Sequence, residues 1–329
     1  MIVLITGGAG FIGSALANQL AAEGHEVRVL DDLSSGERDN LDSGVHFTRG
    51  EVSNIPKLWS LLQGVDCVYH LAARVSVAES ILYPREYNEV NVGGTVSLME
   101  AIRDAGVRRV VLGSSGAVYG QQGTQPVHES ALLSPDSPYA VSKLSAEQYV
   151  HTIGSLWGIE TVALRMFNVY GPGQNLPVSH APVVPRFLRN VVTGGSVVIF
   201  GGGLQLRDFV YVSDVVDALV RSATAADISR QVINIGSGVG TTIRGLVDTI
   251  EQVTEKQANR LYNQEKSGGI QQLTADLTRA KALLGYEPKV MLADGLKRIL
   301  VEDARFRPAP MKVKAKKMGF LQSAVHGLM

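Results

Sequence analysis

The chain has 329 residues, enough for two domains of ~100 to 200 residues each and for a well-buried core. Hydrophobic residues make up 45% of the chain, charged residues make up 19%, and 31 Lys and Arg balance 31 Asp and Glu. This composition excludes disorder over most of the length and excludes a strongly basic nucleic-acid-binding surface. Since Cys67 is the single cysteine, an internal disulfide and a Cys-rich metal site are excluded, and a reducing compartment is favoured.

Membrane and export signals are also missing from the pattern. No apolar run approaches the ~20 residues of a membrane-spanning helix. A strand is predicted to begin at Ile2, which leaves no room for a signal peptide. We therefore expect a cytoplasmic protein with no transmembrane segment, no metal and no nucleic-acid partner.

The chain opens with a strand, a glycine-rich turn and a helix. Ile2–Thr6 is a short apolar run without alternation, which is typical of a parallel strand covered on both faces. In the helix that follows the turn, Ile12, Leu16 and Leu20 recur every four residues, and Gly24 closes the helix. A second strand is predicted at residues 26–30 and ends in Asp31.

The same alternation continues to about residue 165. Strands are predicted at residues 66–71, 108–114 and 161–166, with a helical stretch at about residues 87–105. Alternating strands and helices predict right-handed crossovers, and therefore an α/β fold with a doubly wound parallel sheet, the Rossmann type.

The sequence after Asn168 is richer in Gly and Pro, and it predicts a smaller, irregular domain that closes over a ligand. Helices are expected near residues 185–193, 244–253 and 276–284. We divide the chain into a nucleotide-binding domain at 1–168, a substrate domain at 169–303 and a basic tail at 304–329. A later strand near 209–236 is expected to return to the first domain. The tail is either frayed or a basic amphipathic segment that touches a membrane or a partner.

The glycine-rich turn predicts a dinucleotide site. Gly7 suits the tight turn, Gly10 lets the backbone approach a pyrophosphate, and Gly13 permits close packing of the helix against the strand. Asp31 ends the second strand, where a carboxylate accepts hydrogen bonds from both ribose hydroxyls and repels the extra phosphate of NADP. The expected cofactor is therefore NAD.

A helix beginning after Ser137 carries candidate acid/base residues. Ser137 is an N-cap residue with Pro138 at the first helical position, and Tyr139 and Lys143 share one helix face. A phenol titrates near ~10 in water, so it needs positive charge, here from Lys143, to act as a base at neutral pH. Ser114 and Ser115 end a predicted parallel strand at the edge where ligands bind in such sheets.

Together these motifs resemble the extended short-chain dehydrogenase/reductases, specifically the NAD-dependent sugar-nucleotide epimerase/dehydratase family. The resemblance covers about residues 1–300, in order. It depends on Thr6-Gly7-Gly8-Ala9-Gly10-Phe11-Ile12-Gly13, His70-Leu71-Ala72-Ala73, Ser114-Ser115-Gly116-Ala117-Val118-Tyr119-Gly120, Tyr139 with Lys143, Leu164-Arg165-Met166-Phe167-Asn168-Val169-Tyr170-Gly171-Pro172 and Arg207-Asp208-Phe209-Val210-Tyr211-Val212.

The resemblance implies a set of site residues. The catalytic residues would be Ser115, Tyr139 and Lys143. The cofactor would be held by Gly7, Gly10, Phe11, Ile12, Gly13, Asp31, Asp32, Leu33, Ser35, Gly36, Glu51, Val52, Leu71, Ala72, Ala73, Asn91, Tyr139, Lys143 and Phe167. The substrate would contact Ser115, Asn168, Val198, Ile199, Phe200, Arg207, Lys266 and Leu273.

Departures from the family pattern narrow the activity. Dehydratases of the family carry an acidic pair just after the catalytic hydroxyl residue, and decarboxylases a Glu at the second position, where this chain has Gly116 and Ala117. Glu51 stands where the family usually has an Asp near the adenine. Lys266 replaces the Arg expected in a diphosphate clamp, and a Lys cannot make that planar two-pronged contact with phosphate.

The resemblance then implies 4-epimerisation of a UDP-sugar, most simply of the UDP-glucose and UDP-galactose pair. Tyr139 would remove the C4 hydroxyl proton while NAD takes the C4 hydride, and the 4-keto sugar would turn before the hydride returns. Alternatives are UDP-N-acetylglucosamine or UDP-glucuronate 4-epimerases, a nucleotide-sugar 4-ketoreductase, and, in a different class, a non-catalytic NAD-sensing protein. The family also implies a homodimer through a helix pair, one of them containing Tyr139.

Overall fold

The computed structural model describes residues 1–264 and 269–307. Lys266 and most of the expected tail, residues 308–329, therefore lie outside the described residues. At the start of that tail, Ala304–Phe306 forms a 3₁₀ turn whose Phe306 side chain is buried.

The main sheet has seven parallel strands. They are β1 (Ile2–Thr6), β2 (Glu26–Asp31), β3 (His46–Arg49), β4 (Cys67–His70), β5 (Arg109–Ser115), β6 (Glu160–Met166) and β10 (Gln231–Ile235). Their spatial order is β10-β6-β5-β4-β1-β2-β3. The chain therefore adds β2 and β3 on one side of β1 and then β4, β5, β6 and β10 on the other side. This order confirms the predicted doubly wound sheet. Since the inner parallel strands are covered on both faces, β1 is a nearly continuous apolar run, whereas the edge strand β3 has Phe47 as its one apolar residue.

Helices cover both faces of this sheet. Those of the first part of the chain are α1 (Phe11–Ala22), α2 (Ile55–Leu61), α3 (Val77–Leu82), α4 (Pro84–Tyr87), α5 (Gly94–Ala105) and α6 (Pro138–Trp157). Alternate strand residues pack in opposite directions: Val3 and Ile5 belong to one core cluster and Leu4 to another, which holds buried residues of α2, α5 and α6. This alternation places α6, with its Tyr and Lys, along one face of the sheet.

The second part of the chain builds two small sheets and the remaining helices. Strands β7 (Asn168–Tyr170), β9 (Leu206–Tyr211), β11 (Gly240–Thr242) and β13 (Gln272–Leu273) form one sheet, and β8 (Ser196–Phe200) pairs with β12 (Asn259–Asn263) in the other. The helices are α7 (Val183–Thr193), α8 (Val212–Thr224), α9 (Ile243–Thr254), α10 (Thr278–Leu284) and α11 (Leu292–Glu302). Among the described residues, no helix is long and apolar enough to cross a membrane.

The predicted helix at residues 87–105 is interrupted. A π-helical segment, Asn88–Gly93, joins α4 to α5. In such a segment the backbone carbonyls are displaced from the regular helical pattern, and the side-chain hydroxyl of Thr95 bonds the Asn91 carbonyl oxygen at 2.6 Å. Apolar periodicity gave no indication of this irregularity.

Candidate active site

The candidate residues gather at the carboxyl edge of the main sheet. Strands β1, β4, β5 and β6 are neighbours, and they end at Thr6, His70, Ser115 and Met166. Thr6 is in register with His70, and Ser115 with Met166. Side chains that are far apart in the sequence therefore meet at one edge, at the position where open α/β sheets bind ligands.

The turn after β1 requires glycine at particular points. Gly7 has φ +71°, and a Cβ there would lie 2.6 Å from the backbone nitrogen of Ala72. A Cβ on Gly13 would lie 2.2 Å from the Gly7 carbonyl oxygen, so α1 packs directly against the turn. The start of α1, whose N-cap is Gly10 and therefore has no capping side chain, lies directly beside this tight turn. This cradle fits the pyrophosphate of a dinucleotide.

Asp31 joins this turn to the loop after β2. Its Oδ2 accepts from the Ala9 N–H at 2.9 Å, and its Oδ1 accepts from the Leu33 N–H at 2.8 Å. Each carboxylate oxygen keeps a second lone pair, so the carboxylate can also receive a ribose hydroxyl. Gly36 packs closely on the same turn, since a Cβ on it would lie 2.6 Å from the Ala9 carbonyl carbon.

The other predicted cofactor residues occupy two kinds of position. Asp32 accepts from the Ser34 N–H at 2.8 Å, and Ser35 accepts at its carbonyl oxygen from the Asn175 side chain, so both belong to the loop after β2. Glu51 is exposed, whereas Val52 is buried within the core cluster that lies under α2 and α5. The partly buried members are Phe11, Ile12, Leu33, Leu71, Ala72 and Ala73.

Asn91 lies in the π-helical segment and braces the loop after β4. Its amide donates to the Arg74 carbonyl oxygen at 3.0 Å and accepts from the Arg74 N–H at 2.8 Å. The same amide nitrogen donates to Ser142 on α6 at 2.9 Å. Asn91 therefore connects the β4 loop with the helix that carries Tyr139 and Lys143.

Tyr139 and Lys143 lie one turn apart on α6, as their spacing predicts, and α6 packs on β5, the strand that ends at Ser115. The Ser137 side chain caps α6 by accepting from the Ala140 N–H at 3.3 Å, which fixes the first turn that presents Tyr139. Both Tyr139 and Lys143 are buried. The Ser115 hydroxyl lies at the start of the 3₁₀ turn Gly116–Tyr119, where it accepts from the Ala117 N–H at 3.2 Å and lowers the pKa of Tyr139.

Burial favours the neutral form of both α6 residues. It raises the pKa of Tyr139, and the hydrogen bond from Ser115 counteracts part of that rise. It lowers the pKa of Lys143 to about 8, while the negative charge of Glu147 opposes the lowering. A base formed by Tyr139 thus depends on how well Lys143 keeps its charge.

Sequence reasoning missed a buried ion pair behind these residues. Glu147 and Arg165 form a salt bridge of 2.7 Å, and Ser114 donates a hydrogen bond to the same carboxylate. The one available signal was helical spacing, because Glu147 follows Lys143 by one turn on the same face of α6.

The predicted substrate residues lie in the second part of the chain. Arg207 on β9 is partly buried, and it makes no salt bridge with a described carboxylate; its Nη1 donates to the Leu206 carbonyl oxygen at 2.8 Å. Leu273 on β13 is in register with Arg207. On the neighbouring strand, Asn168 is in register with Phe209, so it lies close to the same end of the sheet.

The predicted contact strand, β8, exposes only alternate side chains. Val198 is 40% and Phe200 39% exposed, whereas Ile199 is fully buried in the main core. Ile199 therefore holds the strand by packing and offers no side chain to a ligand. Leu273 is also buried, and it packs with Phe167, Val118 and Tyr119 in a small apolar cluster under the 3₁₀ turn.

Comparison with known proteins agrees with this geometry. The family model described as the NAD dependent epimerase/dehydratase family matches residues 3–236. A UDP-glucose 4-epimerase of Mycolicibacterium smegmatis is 39% identical over 303 residues, covering 90% of this chain and 96% of that protein.

Two solved structures are also similar. The UDP-glucose 4-epimerase of Thermotoga maritima, crystallised with UDP-glucose, has a TM-score of 0.87 and 36% identity, and covers 91% of this chain and 97% of its own. A UDP-N-acetylglucosamine 4-epimerase from Methanobrevibacter ruminantium, in complex with UDP-N-acetylmuramic acid, has a TM-score of 0.85 and 34% identity, covering 90% of this chain and 96% of that chain.

Proposed function

Because the chain belongs to the NAD dependent epimerase/dehydratase family, we propose that it interconverts UDP-glucose and UDP-galactose by epimerisation at C4. The observation that carries this proposal is the convergence of Ser115, Tyr139 and Lys143 at the sheet edge beside the glycine turn. Gly116 and Ala117 follow Ser115 without an acid, so they supply no carboxylate for an elimination or a decarboxylation step. Oxidation and reduction at C4 remain.

The cradle formed by Gly7, Gly13 and the start of α1 would hold NAD, and Asp31 would accept from its ribose hydroxyls. When bound, NAD supplies the acceptor and later the donor of the C4 hydride. The residues of the chain handle the proton. Ser115 donates or accepts a hydrogen bond at the C4 oxygen, and Tyr139 takes the hydroxyl proton and returns it. Lys143 stabilises the phenolate that this transfer needs.

Arg207 supports a diphosphate-binding role. Burial lowers the pKa of its guanidinium, and the charge of Asp136 partly opposes that effect. A partly buried guanidinium that pairs with no carboxylate of the described residues favours an anionic ligand. The exposed Val198 and Phe200 side chains supply an apolar surface for the base.

Leu273 bears on the choice of sugar. In the resembling epimerases, a bulky Tyr at this position excludes N-acetyl groups from the C2 pocket. Leu273 is smaller, but it offers no polar partner to a buried amide, and an unpaired amide costs ~1 to 3 kcal/mol. We expect slower, detectable turnover of the N-acetyl sugars.

The function is tested by incubating the purified protein with a panel of UDP- and dTDP-sugars without added cofactor. NMR of the products should show UDP-glucose and UDP-galactose in exchange, since NAD is regenerated in each cycle and should stay bound. Tight NAD binding without turnover of any sugar would instead support the NAD-sensing alternative. A net change of redox state in the product would support the ketoreductase.

The role of Leu273 is tested with Leu273→Tyr. We expect the ratio of kcat/KM between the plain and the N-acetyl sugars to rise, because the larger ring fills the C2 pocket. Leu132→Tyr, at an 83% exposed position, is the matched control and should leave the ratio unchanged. An unchanged ratio in Leu273→Tyr would limit Leu273 to packing, and a wild-type preference for N-acetyl sugars would overturn the substrate proposal.

The proposed assembly is a homodimer through α6 and its neighbouring helix. Along α6, Val141 is 49%, Tyr149 45% and Leu156 74% exposed, and these positions repeat about every two turns on one side of the helix. An apolar stripe of this kind favours burial against a second copy. Sedimentation at several concentrations should give a dimer, and Val141→Glu with Tyr149→Glu should give a monomer. A wild-type monomer at all concentrations would contradict this assembly.

A further inference from the structure

Glu147 is a buried carboxylate that the proposed chemistry does not use. It is 1% exposed and lies on the face of α6 that carries Tyr139 and Lys143, one turn beyond Lys143. A buried charge is expensive unless it is paired and hydrogen-bonded. The contacts of Glu147 therefore show what its placement achieves.

Those contacts join three elements. Arg165 on β6 donates from Nε to Oε1 at 3.0 Å and from Nη2 to Oε2 at 2.7 Å. Ser114 on β5 donates to Oε1, and it directly precedes Ser115. Glu147 thereby ties the helix of Tyr139 to the strand of Ser115.

The tie extends into the turn after Ser115. The Arg165 guanidinium carbon lies 4.8 Å from the centroid of the Tyr119 ring, and the Tyr119 hydroxyl donates to Asn234 at 2.6 Å. Tyr119 ends the 3₁₀ turn that begins after Ser115. The Glu147–Arg165 ion pair therefore contacts the chain on both sides of Ser115: Glu147 bonds Ser114 before it, and Arg165 packs on Tyr119 after it.

Glu147 also affects the charge of Lys143, in addition to connecting α6 with β5 and β6. The titratable groups that interact electrostatically with Lys143 are Glu147 on α6 and His70 on β4, and Tyr139 precedes Lys143 by one turn of the same helix. His70 is neutral at physiological pH, since burial, with a smaller effect of the Lys143 charge, lowers its pKa to about 3. The groups that face Glu147 are Arg165, Ser114, Lys143 and His151. Glu147 is therefore the neighbour that favours the ammonium form of Lys143.

We propose that Glu147 is a positioning residue: it fixes the position of Ser115 relative to Tyr139, and it keeps Lys143 charged. This proposal rests on the epimerase function above. The ammonium–phenolate pair and the neutral pair of Lys143 and Tyr139 contain the same number of protons. The charge of Glu147 favours the first pair, in which Tyr139 is the base. Without that charge, the neutral pair is favoured and less of the enzyme is competent.

The test compares Glu147→Gln with wild type in two measurements. The first is the titration of the Lys143 ε-carbon by NMR with ¹³C-labelled lysine and no substrate, assigned with Lys143→Met. We expect the midpoint to fall by on the order of one pH unit. The second is kcat against pH for UDP-galactose, where the plateau should fall roughly tenfold with a lower midpoint and with KM changed little.

The matched control is Glu160→Gln. Glu160 pairs with Arg109 at 2.7 Å on the same two strands, at their other end, so its loss removes an ion pair without touching Lys143. Neither the Lys143 titration nor the midpoint of kcat should change in this control. An unchanged Lys143 titration in folded Glu147→Gln would overturn the proposal.

If Glu147→Gln does not fold because Arg165 is left unpaired, the double variant Glu147→Gln with Arg165→Gln removes both charges. It should lower the Lys143 midpoint by less than is expected for Glu147→Gln, because the repulsion from the Arg165 cation is removed as well, and a midpoint at or above the wild-type value would overturn the proposal. Since the NMR titration needs no turnover, failure of the epimerase function in wild type stays distinguishable from failure of this inference.

Discussion

Burial shifts the pKa values of Tyr139 and Lys143 in opposite directions. Burial raises the pKa of the phenol and lowers that of the ammonium to about 8, so both neutral forms are favoured. The hydrogen bond from Ser115 and the charge of Glu147 act against this preference. The ability of Tyr139 to act as a base therefore depends on Ser115, which acts on its hydroxyl, and on Glu147, which acts on Lys143.

Removing that hydroxyl isolates its contribution. Tyr139→Phe keeps the ring, which packs edge-on against Tyr87 at 6.4 Å between centroids. We expect kcat for UDP-galactose to fall by at least ~100-fold, as is usual when general acid/base catalysis is lost. Tyr262→Phe, at a 51% exposed position on β12, outside the proposed dimer surface, is the control. Near-normal epimerisation by Tyr139→Phe would remove Tyr139 from the mechanism.

Asp31 governs the preference for NAD over NADP. Purified protein should carry NAD, and Asp31→Ala should relax the preference against NADP because the charge that repels the 2′-phosphate is lost. Asp31 also accepts from the Ala9 and Leu33 N–H groups, so the substitution loosens the turn as well. Asp31→Asn keeps one such acceptor, and the ratio of bound NAD to NADP, measured by chromatography, separates the two effects. A wild-type preparation carrying mainly NADP would contradict the assignment.

The glycine turn and α1 pack against each other as one unit. Gly13→Ala would place a Cβ 2.2 Å from the Gly7 carbonyl oxygen, and backbone cannot move aside as a flexible side chain does. We expect α1 to shift, with a stability loss of ~1 to 3 kcal/mol, as overpacking usually causes. The bound nucleotide should be lost too. Thermal unfolding and the nucleotide content of the purified protein measure both.

The control for this element is Gly44→Ala. No atom of the residues that the structure describes lies within 4 Å of a Cβ at that position, and its φ is not in the left-handed region. Its melting temperature and nucleotide content should match those of wild type. Equal nucleotide content in Gly13→Ala and Gly44→Ala would show that the turn tolerates the methyl group.

The elements that sequence alone predicted are those whose signal is local. The strand Ile2–Thr6, the glycine turn and α1 follow one another in the chain, so apolar pattern and turn chemistry define them. The π-helical segment Asn88–Gly93 has no such pattern. Within it, Asn91 contacts Arg74 and Ser142, which are distant in the sequence, and a local pattern does not reveal such contacts.

The candidate site divides in the same way. Tyr139 and Lys143 were predicted because helical spacing places them on one face. Glu147 shares that spacing, but its importance depends on Arg165 and Ser114, and a single sequence does not show which strands lie beneath a helix. Likewise, alternation along β8 decides that Ile199 is buried while its neighbours are exposed.

For the whole molecule, the site is held together by a buried histidine. His70 Nδ1 lies 2.8 Å from the Thr6 hydroxyl of β1, and Nε2 lies 2.8 Å from the Thr95 hydroxyl of α5. The Thr95 hydroxyl donates to the Asn91 carbonyl oxygen, so it accepts from His70 Nε2–H. The neutral ring with its proton on Nε2 therefore satisfies both bonds. A second proton on Nδ1 would face the Thr6 hydroxyl, whose proton now points toward that nitrogen.

This arrangement predicts how the stability of the folded protein depends on pH. The pKa of His70 is lowered from 6.5 to about 3 by burial, with a smaller contribution from the Lys143 charge. The unfolded chain binds a proton at His70 below pH ~6.5, whereas the folded chain does so only near pH ~3. Its stabilising contribution is thus fully present above the unfolded value and is lost as the pH falls toward the folded one.

In that window, His70 should lower the free energy of unfolding by up to about 1.4 kcal/mol per pH unit. Urea unfolding at a fixed protein concentration, repeated from pH 7 to pH 4, measures the slope. His70→Gln should be less stable at pH 7 yet shallower in slope by about one proton, because glutamine does not titrate. His46→Gln, at an exposed position, should keep the wild-type slope. Equal slopes for wild type and His70→Gln would mean that acid unfolding is controlled by carboxylates elsewhere in the molecule.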